Sequence, residues 1–528
     1  MNLITDRWIP VRRQNGAQEK IAPWQIAEQI NPVLEIDAPR ADFQGALYQL
    51  LIGLLQTVYS PETTEDWYER YLEPDADNLK AAFARLQPAM ALLNPEGPAF
   101  LQDFNMPEGE TKGIAALLIE APGGKTRKDN LDHFIKGGTV PAICYGCAAT
   151  ALFTLQTNAP SGGVGHRVGL RGGGPLTTLL RPQEIQSTLW KSLWLNVLDR
   201  DSVAATEQPL SAQVLPWMGP TRVSDSSGVE TAPSDGHPLQ MYWGMPRRIR
   251  LEADDVMGRC TLCGAENQPL VTHYRTRNYG TNYTDHWIHP LTPYRFDPKQ
   301  KTPPFSLKGQ KGGLGYRHWI GLALGKASNG DVPAKIVQRF VGERDRLLAQ
   351  GAGFTPRLWC FGYDMDNMKA RCWYDHSFPV FCCSPAQQEQ LLNKAGELLE
   401  LAQLAVRELR GQVKAAWFKR AKDAKGDISY IDAEFWQQTE SMFFDITAQL
   451  SQWNAQSPLP VALMQQWRKT VVRVLFDTFD RWTLENNSED LNLKRIMAAR
   501  AQLEKLVYSS TVFKAFAKRY PQPEKETA

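Results

Sequence analysis

Two cysteine pairs, Cys144-Tyr145-Gly146-Cys147 and Cys260-Thr261-Leu262-Cys263, are the sharpest chemical signal in the sequence. Two C-x-x-C knuckles supply four thiolates, the ligand set of a closed tetrahedral zinc site. Such a site leaves no open coordination position, so the zinc expected here is structural and not catalytic. The separation between the knuckles is far longer than in a compact zinc ribbon, so the metal would staple two distant parts of one domain. The alternative is that these are small buried residues. A redox role is disfavoured, because two matched pairs exist and neither sits in a thioredoxin-like context. Cys360, Cys372, Cys382 and Cys383 lack the spacing and read as core residues.

A second signal is the glycine-rich stretch from Pro160 to Gly174, which contains Gly162-Gly163-Val164-Gly165. Glycines let backbone approach a partner closely, and Arg167 and Arg171 could hold phosphates beside it. The stretch fails as a dinucleotide fingerprint, since the next glycine after Gly163 and Gly165 arrives one residue late, at Gly169. Two phosphate-loop near misses also fail: Gly321 to Gly325-Lys326 is one residue short, and Gly124-Lys125-Thr126 has Ile119 where the first glycine belongs. Nucleotide hydrolysis is therefore unsupported. Basic and aromatic residues interleave from His273 to Tyr279, and Lys299, Lys301, Lys308 and Lys311 dot a Pro/Lys/Gly-rich stretch from Asp297 to Gly313, read as a mobile loop. That pattern suits contact with a nucleic-acid backbone, with a solvated face as the alternative. Asp364-Met365-Asp366-Asn367 lacks a third acid for a metal and reads as a turn; His166, His286, His289 and His318 read as satisfied structural residues.

These residues must be positioned by a chain of 528 residues, long enough for two domains. Hydrophobic residues at 43% and charged residues at 22% mark a globular protein, and sixteen tryptophans point to aromatic-rich packing. The formal net charge is only +2, so nucleic-acid contact would rest on local basic clusters. The opening residues carry acid and base where a signal peptide needs an apolar run, and no later segment is long and apolar enough to span a membrane; a cytoplasmic location is expected. The fold class expected is α+β. Residues 1–384 read as a mixed α/β domain with the zinc site, including helices near Phe43–Tyr59 and Leu79–Leu93. From Pro385 a stripe of Leu391, Ala395, Leu398, Ala402, Ala405, Leu409, Val413 and Ala416 predicts a long amphipathic helix. Further helices near 430–453, 461–484 and 491–520 make residues 385–528 a C-terminal four-helix bundle. Its first helix carries Arg407, Arg410 and Lys414, followed by Lys419, Arg420 and Lys422.

Taken together, the opening Asn2-Leu3-Ile4-Thr5-Asp6-Arg7-Trp8-Ile9-Pro10-Val11, the segment Pro98-Ala99-Phe100-Leu101-Gln102, the two cysteine pairs, the block from Ala159 to Gly173, Trp287-Ile288-His289-Pro290 and the C-terminal helices follow one another in the order of a known family. The chain resembles the large subunit of the type I-E CRISPR Cascade complex, the CasA family, from end to end. The resemblance implies a non-enzymatic protein. Its partners would be the other Cascade subunits, the CRISPR guide RNA, target double-stranded DNA, the displaced single strand and a recruited helicase-nuclease, with no membrane. It implies recognition of the protospacer-adjacent motif from the minor groove, followed by the start of strand separation for the R-loop. Three elements would read the motif: Phe134-Ile135-Lys136, the loop Gly162 to Gly165, and Arg277 by a gapped match or Asn278 by an ungapped one. A wedge would fall at Asn367, where another family member carries glutamine, with Met368 sharing the role. A zinc-bearing nuclease or remodeller is the enzymatic alternative, and a purely structural scaffold is the third.

Overall fold

The computed structural model describes all residues except 107, 124, 125, 127, 130–137, 185, 204–208, 226, 227, 286, 310, 311, 326–328, 350–355, 367, 368, 421, 423, 424, 454, 455, 459, 486–491 and 522–528. The chain forms two compact units, Met1–Gly309 with Ser328–Ser377, and Gln310–Ala327 with Phe378–Ala528. The second unit thus takes in 310–327, which the sequence placed with the first domain. Aromatic packing is the reason. Tyr316 stacks on Phe443 with ring centroids 4.4 Å apart and its hydroxyl bonds Thr439 at 2.8 Å, while the Trp319 indole donates to the Pro379 carbonyl at 2.8 Å.

The first unit is a mosaic of helices and small sheets around a tryptophan-rich core. The helix Ala41–Val58 is buried on nearly every side, as an apolar sequence around the whole circumference requires. A buried indole must satisfy its N–H. Trp67 and Trp194 donate to each other's carbonyls at 3.1 and 2.8 Å, and Trp243 donates to the Thr57 hydroxyl at 3.0 Å. Two three-stranded antiparallel sheets matter most for the site. In one, Gln268–Val271 lies between Ile143–Cys144 and Met257–Gly258; in the other, His273–Arg277 lies between Glu110–Gly113 and Arg248–Leu251. Residues 297–306 of the Pro/Lys/Gly-rich stretch are more ordered than their composition predicts: Asp297 accepts from the backbone of Lys299, Lys301 and Thr302, and Phe305–Ser306 is a strand. Asp364 and Asp366 end the strand Pro356–Asp366 instead of forming a turn, and Arg371 bonds both Asp364 oxygens, at 2.6 and 3.0 Å.

The second unit opens with the helix Pro385–Trp417. Ser384 caps it, accepting from the Gln387 backbone while Gln387 reaches back, and Pro385 occupies the first turn. All eight stripe residues from Leu391 to Ala416 are buried. Ser429–Ser451, Val461–Asp480 and Leu493–Ser509 pack against it. The fourth expected helix is split: Ser510 ends one segment and caps Thr511–Arg519, accepting from the Phe513 backbone at 3.1 Å.

Candidate functional site

The strand Gln268–Val271 brings the two knuckles together by pairing with Ile143–Cys144, Cys144 facing Leu270 and Ile143 facing Val271. The Sγ atoms of Cys144, Cys147, Cys260 and Cys263 all lie within 4.8 Å of one another. Cys144, Cys147 and Cys260 are buried and Cys263 is half-buried. An ion held tetrahedrally at about 2.3 Å by four thiolates spaces the sulfurs about 3.8 Å apart. The Cys144 and Cys263 sulfurs stand 3.7 Å apart. The Cys144 backbone N–H donates to Cys260 Sγ at 3.3 Å, and Gly264 takes a φ of +72°, the left-handed turn that closes the second knuckle. Hydrogen bonding among the four close sulfurs lowers the Cys260 and Cys263 thiols and raises those of Cys144 and Cys147. The cluster could bind a metal ion, and it offers that ion four sulfurs and no open position.

From this cluster two elements run outward. The helix Tyr145–Asn158 leads into the glycine stretch, and Gln268–Val271 continues into His273–Arg277 and the turn beyond it. Their far ends meet. Asn278 Nδ2 donates to the Val164 carbonyl at 2.9 Å and the Tyr279 N–H donates to the Gly165 carbonyl at 2.8 Å. Gly165 has a φ of +74°, and a Cβ there would lie 2.8 Å from that of Asn278 and 3.0 Å from the Tyr279 ring, so the close seat needs glycine. Gly163 has a φ of +84° with nothing within 4 Å of a Cβ, and Val164 is 77% exposed. Backbone and a bare side chain are thus offered to solvent.

Arg277 and Asn278 are exposed at this meeting point, and Arg277 Nη1 makes a long contact of 3.4 Å to the Glu108 carbonyl. Arg167 is committed nearby: its guanidinium donates to the Ser224 hydroxyl at 2.6 Å and carbonyl at 2.7 Å. Arg171 is not a surface phosphate ligand. It is buried, bonded to Gln49, Thr177 and Thr292. His166 is half-buried beside Asn278, its imidazole held below the ordinary range by burial, then by the charge of Arg247. His289 is a core residue that accepts from the Leu291 N–H. Phe134, Ile135, Lys136, Asn367, Met368 and His286 lie outside the described residues.

Sequence reasoning missed two supports of this site: Ser224 and Arg247. The Arg247 guanidinium donates to the Pro160 carbonyl, at the head of the glycine stretch, and burial pushes it down to about 10. Nothing in Pro246-Arg247-Arg248 distinguishes an anchoring arginine from a solvated one; only the tertiary pairing does.

The model of the CRISPR-associated protein Cse1 family matches residues 2–478. The chain belongs to the Cse1 family. This bears out the resemblance to the large subunit of type I-E Cascade. Among solved structures, the Cse1-family chain is similar to Thermus thermophilus CasA (TM-score 0.68, 19% identity, 96% of this chain and 99% of that one). It is likewise similar to Cse1 from Acidimicrobium ferrooxidans (TM-score 0.67, 16% identity, 99% of each chain). It also matches a chain of a CRISPR RNA-guided surveillance complex (TM-score 0.65, 16% identity, 96% of this chain and 99% of that one). At these identities the structural likeness speaks for the fold.

Proposed function

We propose that this Cse1-family chain reads the protospacer-adjacent motif in target duplex DNA from the minor groove, begins strand separation, and helps recruit the helicase-nuclease, without catalysis of its own. The observation that carries the reading is the meeting of the Gly162–Gly165 loop with Arg277 and Asn278, two segments distant in sequence joined by the Asn278–Val164 and Tyr279–Gly165 hydrogen bonds. It combines open backbone, one exposed amide and one exposed guanidinium. Minor-groove edges offer a degenerate set of acceptors, so such a reader tolerates several related motifs. Phe134, Ile135, Lys136 and Arg167 would support it, and the bound partners would be the other Cascade subunits, guide RNA, target duplex and displaced strand, in the cytoplasm.

Asn367, with Met368, would wedge open the first base pair. Unstacking costs about 1.4 kcal/mol per step and the RNA–DNA hybrid then replaces the lost duplex, so protein need only start the opening. A fluorescent base analogue at the first pair tests this. In the assembled complex Asn367→Ala should slow its unstacking while leaving motif affinity near wild type; unchanged opening kinetics would remove the wedge assignment.

The cysteine cluster would hold one structural zinc ion. Its all-thiolate donor set and the 3.7 Å sulfur spacing support that choice. Zinc would supply cross-linking alone, and the chain's own residues make every proposed contact with DNA. The division of labour into a recognition domain, residues 1–384, and a helical bundle, residues 385–528, belongs to the same proposal.

A further inference from the structure

The buried arginine of the glycine stretch carries a charge that no carboxylate among the described residues balances. Arg171 is 6% exposed. Its guanidinium donates to Thr177 Oγ1 at 3.1 Å, Thr292 Oγ1 at 2.9 Å and Gln49 Oε1 at 2.6 Å, all neutral acceptors. Among the described residues no carboxylate pairs with it, and the polar groups that act on its charge are the phenols of Tyr294 and Tyr242. A guanidinium does not give up its proton, so burial cannot be relieved by neutralising it. Taking an uncompensated cation out of water costs several kcal/mol.

Arg171 faces a small, partly open cavity of about 20 Å³, lined also by Gln156, Leu170, Tyr242, His289 and Leu291. That is room for one small species. The two amide oxygens of the lining are already engaged. Gln49 Oε1 already accepts from Arg171, and Gln156 Oε1 already accepts from the Arg247 N–H. His289 Nδ1 accepts from the Leu291 N–H at 3.1 Å, which leaves the proton of the neutral ring on Nε2 as a donor. Burial, then the charge of Arg171, holds that imidazole well below its ordinary range, so it stays uncharged and adds no second cation. Leu170 and Leu291 supply apolar wall. A water wants two to four polar partners, acceptors included. A cavity with one cation, a donor N–H and apolar wall suits a small anion better.

We propose that this cavity binds a single monatomic halide, chloride under cellular conditions, as the counter-ion of Arg171. The ion would neutralise the charge that pins the glycine-rich segment to the helix Ala41–Val58 through Gln49 and to the strand Thr177–Pro182 through Thr177.

Bromide replaces chloride and scatters anomalously. Crystals of the full chain grown in bromide should show an anomalous peak within about 3.5 Å of the Arg171 guanidinium nitrogens. Bromide only at the surface, or a peak-free cavity, would overturn the proposal. In solution at constant ionic strength, replacing gluconate by chloride from about 1 to about 100 mM should raise the melting temperature by roughly 2 °C, an increment that Arg171→Gln should lack. Equal melting of the wild-type chain in the two salts would contradict it. Should Arg171→Gln fail to fold, the wild-type bromide map decides by itself.

Discussion

At the residue scale, the candidate interface depends on two exposed side chains and a stretch of backbone. Arg277 projects from the end of a strand, where among the described residues a 3.4 Å carbonyl contact holds it, so its charge remains available. Arg277→Ala should weaken duplex binding by the assembled complex about 5- to 100-fold if the guanidinium reads a base edge, with the loss confined to motif-bearing DNA. A loss that is uniform across sequences, with the salt slope reduced by about one, would assign it to a phosphate instead. Competition titrations at several salt concentrations separate the two, and unchanged affinity on every duplex would remove Arg277 from the interface. The cysteines and Gly162–Gly165 were legible in the sequence because knuckle spacing and glycine runs are local patterns. The surroundings of Arg167 and Arg171 were not. Both are arginines in one glycine-rich stretch, yet one is tied to Ser224 and the other is buried among Gln49, Thr177 and Thr292. Burial is decided by what packs over a residue, and the sequence does not display that.

At the element scale, the cysteine cluster braces the near ends of two segments whose far ends form the candidate interface. The helix Tyr145–Asn158 has 14 residues, about 21 Å of rigid rod between the cysteine cluster and the glycine stretch. Loosening the knuckles should therefore be felt at the loop. A structural zinc contributes an apparent 10 kcal/mol or more, comparable to the whole stability of a domain. Elemental analysis should find one zinc per chain, and Cys260→Ser should lower the melting temperature and the soluble yield sharply. Wild-type stability in Cys260→Ser, or metal-free protein of full stability, would reduce the four cysteines to packing. Elements with a strong period were readable in advance: the stripe from Leu391 to Ala416 predicts a long helix and is wholly buried. The break at Ser510 was not, since a serine inside an amphipathic pattern is compatible with a continuous helix until its side chain caps the next one.

At the scale of the whole molecule, a net charge of +2 cannot attract DNA by itself, so the proposed binding would rest on the distribution of charge. In the helical unit Arg410 is paired with Asp432 at 2.8 Å and Arg407 with Glu408 at 3.1 Å, whereas Lys419, Arg420 and Lys422 are exposed. Reversing the last three should leave helix packing intact while lowering R-loop stability more than initial motif binding, with the difference shrinking as salt rises. Equal effects on both stages would return this basic segment to a solvated role. The change of texture at Pro385 marks the start of the long helix, but the place of 310–327 beside the C-terminal helices was not legible, because the Tyr316 and Trp319 contacts that decide it are long-range. The most direct measurement compares complexes assembled with wild-type chain, Gly163→Asn and Gly163→Asp on duplexes that share a protospacer and differ only in the motif. Asn and Asp carry the same strain at a φ of +84° and meet no neighbour, so they differ in charge alone. Gly163→Asp should lose at least about tenfold more affinity than Gly163→Asn on motif-bearing duplex, and the complexes should converge on motif-free duplex. Equal affinity of all three complexes for motif-bearing duplex would contradict motif reading at the glycine loop.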